Sequence, residues 1–325
     1  MISIKNSSPN ALVCRGTGSL PVLGAAASRR RTHAVRKVGR LVPKTPLFPL
    51  FLLSLFTLCS FLFGAAAPAA HRTETAIAYH TTADATPDAY RDERCKLDLH
   101  YPENLPGFAT IVWFHGGGLT GGKPGLPRGL QNKGFAVVSV AYRLSPKAEN
   151  PAWLEDAAAA TAWVFNNIAA RGGDPKKVFI AGHSAGAWLA MMVGMDPRWL
   201  APHKLTPNDL AGIIGVSGQV TTHFRVKKLR GDTKPEFRPI IDEYAPLYHA
   251  SDKLPPICLI LGDRKLEYKN RVEENDLLAT ALRNLGHKHV EFYELGGFNH
   301  GGSEQAAFLL FPGFIKRATA PAPAN

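Results

Sequence analysis

The sequence predicts an α/β protein built on a mostly parallel sheet, on three observations. Short, near-continuously apolar runs rich in β-branched residues recur along the chain, as expected of strands buried on both faces. Helical stretches lie between them, the alternation that builds an α/β layered fold. Of the 325 residues, 45% are hydrophobic and 20% charged. That is ordinary for a globular chain and excludes a disordered chain, a coiled coil, a collagen-like fibre or a multi-span membrane protein.

The leader comes first. The formal net charge of +12 suggests a nucleic-acid partner, but its distribution argues against one. Residues 1–70 hold nine Lys and Arg and no acid, while residues 71–325 carry 29 basic against 26 acidic residues. The bulk of the chain therefore has no reason to seek phosphates. An apolar stretch at 47–63 follows the basic region, and small residues follow at 64–70. That order is expected of a signal peptide cleaved near Ala67–Ala70, with an uncleaved N-terminal anchor over 47–63 as the alternative. The basic region is long for a signal peptide, which points to initiation nearer Val38 or Leu41. The expected product is exported, periplasmic or secreted, and meets a membrane only if the leader stays. Its organisation is a leader over 1–70, a catalytic domain over 71–317 and a disordered tail over 318–325. Cys95 and Cys258 fall in strand-like runs far apart in such a sheet, so two buried free thiols are expected rather than a disulfide.

The strands follow in order. Residues 75–80 and 96–101 alternate in polarity and suit an antiparallel edge pair. Residues 110–114, 135–141, 178–181, 213–216 and 257–261 read as buried parallel strands, and 290–295 as the last. Helices are expected over 153–170, with Leu154, Ala158, Ala162 and Phe165 on one face, and around Leu277, Leu278, Ala281, Leu282 and Leu285, stopped by Gly286. The basic stretch 220–239 reads as a solvated loop beside the site, preferred over an anion-binding patch.

Three motifs carry chemistry. Gly182-His183-Ser184-Ala185-Gly186 lies between a strand and a helix. A nucleophilic serine needs a sharp, strained strand-to-helix turn, whose crowding calls for glycine two residues either side. His115-Gly116-Gly117-Gly118 directly follows an early strand. Acyl transfer places negative charge on a carbonyl oxygen, and the N–H groups of Gly117, Gly118 and Ala185 suit an oxyanion hole. The third motif, Gly297-Phe298-Asn299-His300-Gly301-Gly302, follows the last strand and offers His300 as the base that a serine hydroxyl requires. His183 is expected to pack beside the nucleophile, and His115 to shape its loop. The acid that would orient His300 belongs in the loop after strand 257–261, where Asp263 and Glu267 both qualify. Asp263 is preferred, being short and next to the strand end. Glu267, longer and nearer the helix, can instead cap it or pair with Arg271.

These residues resemble the α/β-hydrolase fold, and more narrowly its hormone-sensitive-lipase-like and carbohydrate-esterase branch, including bifunctional feruloyl/acetylxylan esterase-like proteins. The resemblance spans roughly Lys96 to Phe311 and rests on LDLHYP (97–102), WFHGGGLTGG (113–122), AYRLSP (141–146), Glu155-Asp156, GHSAG (182–186), YAPLYH (244–249), LGDR (261–264) and GFNHGG (297–302). It implies an eight-stranded, mostly parallel sheet flanked by helices, a Ser–acid–His triad in the order Ser184, acid, His300, and ester hydrolysis with no metal or cofactor. YRLSP and Asp156 enter as structural supports. The chain departs from the family in one place: many relatives put an Asp three residues after the strand-ending glycine, where this chain has Lys265. The short 217–250 stretch leaves no room for a large lid domain.

The expected function is an exported serine carboxylesterase for short-chain or aromatic acyl esters, acetyl or feruloyl groups on carbohydrate among them, acting through an acyl-enzyme. Its partner is a small-molecule or polysaccharide ester. A serine peptidase of the prolyl-oligopeptidase type usually carries a propeller, and the roughly 255 residues left after cleavage cannot hold one. A catalytically dead binding protein on the same fold would have lost the serine or the base, and this chain has both.

Overall fold

Phe108–Phe114 is buried along its whole length because apolar layers cover both its faces. The computed structural model to which it belongs describes residues 4–6, 70–80, 87–232 and 235–321. The apolar stretch 47–63 and the last four residues of the tail lie outside them.

The strands are β1 (Ile4–Asn6), β2 (His71–Ala78), β3 (Lys96–Pro102), β4 (Phe108–Phe114), β5 (Ala136–Val140), β6 (Gly173–His183), β7 (Gly212–Val216), β8 (Ile257–Gly262) and β9 (Val290–Leu295). They form one sheet in the order β1-β9-β8-β7-β6-β4-β5-β3-β2. β5, β4, β6, β7, β8 and β9 run parallel. β3 and β2 add an antiparallel edge. All eight expected strands are present, and β1 adds a short ninth, pairing antiparallel with β9 through Ile4–Leu295 and its neighbours.

Helices α1 (Ala89–Arg94), α4 (Pro197–Leu200) and α5 (Phe224–Leu229) lie in the connections between strands, and the other helices cover both faces of the sheet. On one side lie α2 (Ala152–Asn167), α3 (Ala185–Met195) and α6 (Arg271–Asn284), whose buried side chains join one core. On the other, α7 (Gly302–Ala307) and α8 (Phe311–Ala318) pack Phe308, Phe311 and Phe314 against Trp113 and Phe179. α3 is buried all round, as a helix apolar on every side must be. α6 differs from expectation. Its core face is Val272, Asn275, Leu278, Ala279 and Leu282, while Leu277 and Leu285 are exposed. The apolar pattern was two residues too generous: Leu277 cannot share a face with Leu278, and Leu285 caps the helix one residue past its end. Ala318 still belongs to α8.

Asp156, fully buried on α2, is fixed by Arg143, whose Nη2 and backbone N–H donate to it at 2.7 and 2.9 Å. Tyr142 next door donates its hydroxyl to the His115 carbonyl at 2.7 Å, and the two rings stack at 4.5 Å. The 141–146 segment thus holds the glycine loop in place. Cys95 and Cys258 are buried and free; Cys258 lies on β8, and Cys95 immediately precedes β3 across the sheet. Among the described residues, no helix is long and apolar enough to cross a membrane.

Candidate active site

The parallel strands β4, β6, β7, β8 and β9 deliver their C-terminal ends to one edge, where sites of open α/β sheets form. β6 ends at His183 and α3 begins at Ala185, leaving Ser184 at the turn with φ 55° and ψ −118°, a strained conformation for a non-glycine residue. Such a turn needs close backbone approach. A Cβ on Gly186 would stand 2.0 Å from the Phe114 carbonyl oxygen, so only glycine fits. Ser184 is pinned from behind by its N–H, which donates to the Val216 carbonyl at 2.9 Å.

His300, in the loop after β9, reaches this serine: its Nε2 lies 2.9 Å from Ser184 Oγ. Its own carbonyl accepts from His183 Nε2 at 2.8 Å and from Ser303 Oγ at 2.7 Å, which fixes the loop. Burial, reinforced by the His300 charge, lowers the His183 pKa to about 4, so that ring stays neutral and acts as a brace. His115 is likewise held at about 4 by burial and donates from Nδ1 to the Gly116 carbonyl.

The carboxylate facing His300 belongs to Glu267, whose Oε1 is 2.5 Å from Nδ1. This corrects the preference for Asp263. Asp263 Oδ1 accepts from the Lys265 N–H and Oδ2 from the Gly297 N–H, both at 2.9 Å, so its carboxylate ties two loops together. The Asp263 carbonyl accepts from Leu266 and Glu267 N–H at 2.8 Å, and this tight turn swings Glu267 back over the strand end. The longer glutamate chain then spans the remaining gap to the histidine. The Glu267 side chain is fully buried. Burial alone would raise its pKa, but the hydrogen bond and charge of His300, together with the Ser217 hydroxyl, bring it down to about 2. Ser217 Oγ donates to Glu267 Oε2 at 2.6 Å, and the Tyr268 N–H donates to Oε1 at 2.9 Å.

Gly117 and Gly118 line the same cavity of about 550 Å³ as Ser184 and His300. Gly117 has φ +118°, and a Cβ there would stand 2.3 Å from the Gly121 carbonyl oxygen. Ala185 opens α3, where the first N–H groups have no acceptor within the helix. All three expected donors thus flank the serine.

Sequence reasoning missed Ser217, Ser303, His223 and Arg271. Ser217 directly follows β7, and that position, the C-terminal end of a central parallel strand, was the available signal. The stretch 220–239, expected as a solvated loop, instead forms part of the cavity wall through His223, Phe224, Glu236 and Phe237.

A family model described as alpha/beta hydrolase fold matches residues 111–302. Esterase LipC of Mycobacterium tuberculosis is 26% identical over 216 residues, 61% of this chain and 51% of that protein. Carboxylesterase NlhH of the same organism is 39% identical over 101 residues, 30% of this chain and 31% of that protein. A solved truncated form of a carbohydrate esterase from gut microbiota superposes with a TM-score of 0.61 at 18% identity, over 78% of this chain and 98% of that one. The chain spans about a quarter to a half of the length of the first curated relatives it matches.

Proposed function

The chain belongs to the α/β-hydrolase fold family, and on that premise we propose that it is an exported serine carboxylesterase acting on short-chain or aromatic acyl esters, acetyl or feruloyl groups on carbohydrate among them. The observation that carries the reading is the continuous chain of contacts from Ser184 Oγ through the His300 ring to Glu267, at 2.9 and 2.5 Å.

A serine hydroxyl is a weak nucleophile until a base takes its proton. His300 Nε2 accepts that proton as Oγ attacks the ester carbonyl, and ionised Glu267 stabilises the resulting imidazolium. The N–H groups of Gly117, Gly118 and Ala185 receive the developing oxyanion. Collapse of the tetrahedral species expels the alcohol, which takes the proton from His300, and leaves the acyl group on Ser184. Water, activated by the same histidine, then attacks the acyl-enzyme and releases the acid.

The acyl preference is supported by the modest size of the cavity and its exposed rim at Tyr268 and Glu236. Export is supported by the basic, apolar and small-residue order of residues 1–70. The test is Ser184→Ala assayed on 4-nitrophenyl acetate. Loss of the nucleophile costs roughly 10⁶ in rate in a comparable hydrolase. Turnover retained at more than a few percent in pure protein contradicts the reading.

A further inference from the structure

Arg271 opens α6 in the wall of the Ser184 cavity, yet only 4% of it is exposed. Its Nη1 donates to the Ser217 carbonyl at 2.9 Å. Among the described residues the guanidinium makes no other hydrogen bond and no ion pair. Its charge lies 5.8 Å from the ring centroids of both Phe224 and Tyr268. Glu267 is committed to His300 and Ser217, and Glu274 accepts from Thr221 Oγ1. Burial lowers the Arg271 pKa from the ordinary guanidinium value, and Glu274 and Glu267 pull the other way.

A buried cation with unused donors is costly unless an anion meets it. A second donor stands on the same cavity wall. His223 is 4% exposed, and its Nδ1 accepts from the Arg225 N–H at 3.1 Å. Burial, with the nearby Arg271 charge, holds its pKa at about 3, so the neutral ring carries its proton on Nε2. Among the described residues that Nε2–H has no partner.

We propose that Arg271 and His223 form a carboxylate-binding subsite of the Ser184 cavity, so that the preferred esters carry a carboxylate on their acyl or alcohol part. The proposal rests on the esterase reading above. The planar fork of arginine matches a carboxylate through two parallel bonds, which suits it better than a lone neutral acceptor. Among the described residues that line the cavity, Glu236 is the one carboxylate; it is exposed and water-screened. A neighbouring cavity of about 470 Å³ shares the Gly118–His223–Phe224 wall and is lined by Arg225, Lys227 and Lys228 against Asp232 and Glu236. The approach to the subsite is therefore net basic.

The experiment measures kcat/KM for two matched pairs in wild type, Arg271→Gln and Arg271→Lys. Mono-4-nitrophenyl glutarate against 4-nitrophenyl pentanoate places the charge on the acyl side; 4-acetoxybenzoate against 4-acetoxybenzamide places it on the alcohol side. Wild type is expected to favour the anionic member of one pair by roughly tenfold or more. That ratio should fall about tenfold in Arg271→Gln, through KM, and recover partly in Arg271→Lys, which keeps the charge without the fork. No anionic preference in wild type, or a ratio unchanged in both variants, overturns the subsite while leaving the esterase reading intact. If Arg271→Gln does not fold, the wild-type preference and Arg271→Lys decide. If wild type hydrolyses none of the four esters, the esterase reading fails, and calorimetry with glutarate judges the subsite: binding weakened about tenfold in Arg271→Lys supports it, and no binding to wild type overturns it.

Discussion

Glu267 presents its carboxylate to His300 Nδ1 at 2.5 Å, whereas Asp263, four residues earlier, turns its own carboxylate to the backbone N–H groups of Lys265 and Gly297. The two acids of one loop thus do separate work, one orienting the histidine and one fastening the loop. Glu267→Gln is expected to lower kcat on 4-nitrophenyl acetate by about 10³–10⁴, the scale seen when the orienting acid of a serine protease loses its charge but keeps its shape. Asp263→Asn should retain most of its turnover, because its shape and its acceptor Oδ1 survive. Circular dichroism on both variants separates folding from chemistry. A collapse in Asp263→Asn alone would reverse the assignment.

The same carboxylate makes stability depend on pH in a predictable direction. The Glu267 pKa falls from 4.5 to about 2 on folding. A group with a depressed folded pKa stabilises the native state above its unfolded value, and that contribution is lost as pH falls through the folded one. The denaturation midpoint of wild type should therefore approach that of Glu267→Gln between pH 4.5 and about 2. A gap between the two proteins that stays constant across this window would show that Glu267 does not carry the contribution.

Glycine at the serine turn is set by backbone approach. The would-be Cβ of Gly186 stands 2.0 Å from the Phe114 carbonyl oxygen and 2.6 Å from that of His115, whereas a Cβ on Gly125 meets nothing within 4 Å. Gly186→Ala is expected to destabilise the protein by about 2 kcal/mol or more, as over-packing does, and to displace Ser184. Gly125→Ala should fall within about 0.5 kcal/mol of wild type. Urea midpoints of the two variants, measured side by side, give the comparison.

Cleavage of the leader is expected to leave a new N-terminus between Ala66 and His71, which N-terminal sequencing of native protein reads directly. Such a cut spares β2, which starts at His71, and among the described strands and helices it removes β1 alone, a three-residue strand on the sheet's outer edge. The processed protein should accordingly match the full chain in kcat. Intact Met1 in native, soluble, cytoplasmic protein would contradict export.

The sheet was legible because a parallel strand covered on both faces leaves a dense apolar run, as Phe108–Phe114 and Ile257–Gly262 do. Ser184 and His300 were legible because local rules fix them: a serine at a glycine-bounded strand-to-helix turn, and a histidine in a glycine-rich loop after the last strand. The acid was not, because its place depends on a turn closed by the Asp263 carbonyl and on side-chain reach, neither of which the spacing of Asp263 and Glu267 encodes. Arg271 and His223 were invisible for a related reason. Each lies in a segment with ordinary local signals, a helix start and a polar stretch, and only tertiary packing brings both to the Ser184 cavity. Leu277 failed differently, since an apolar side chain beside Leu278 on a helix must point elsewhere.

The most direct test of the central claim is covalent labelling by a fluorophosphonate, followed by peptide mapping. The Ser184–His300–Glu267 arrangement predicts one adduct per chain, located on Ser184, absent in Ser184→Ala and formed far more slowly in Glu267→Gln. No adduct in folded wild-type protein, or an adduct on another residue that persists in Ser184→Ala together with ester turnover, would contradict it.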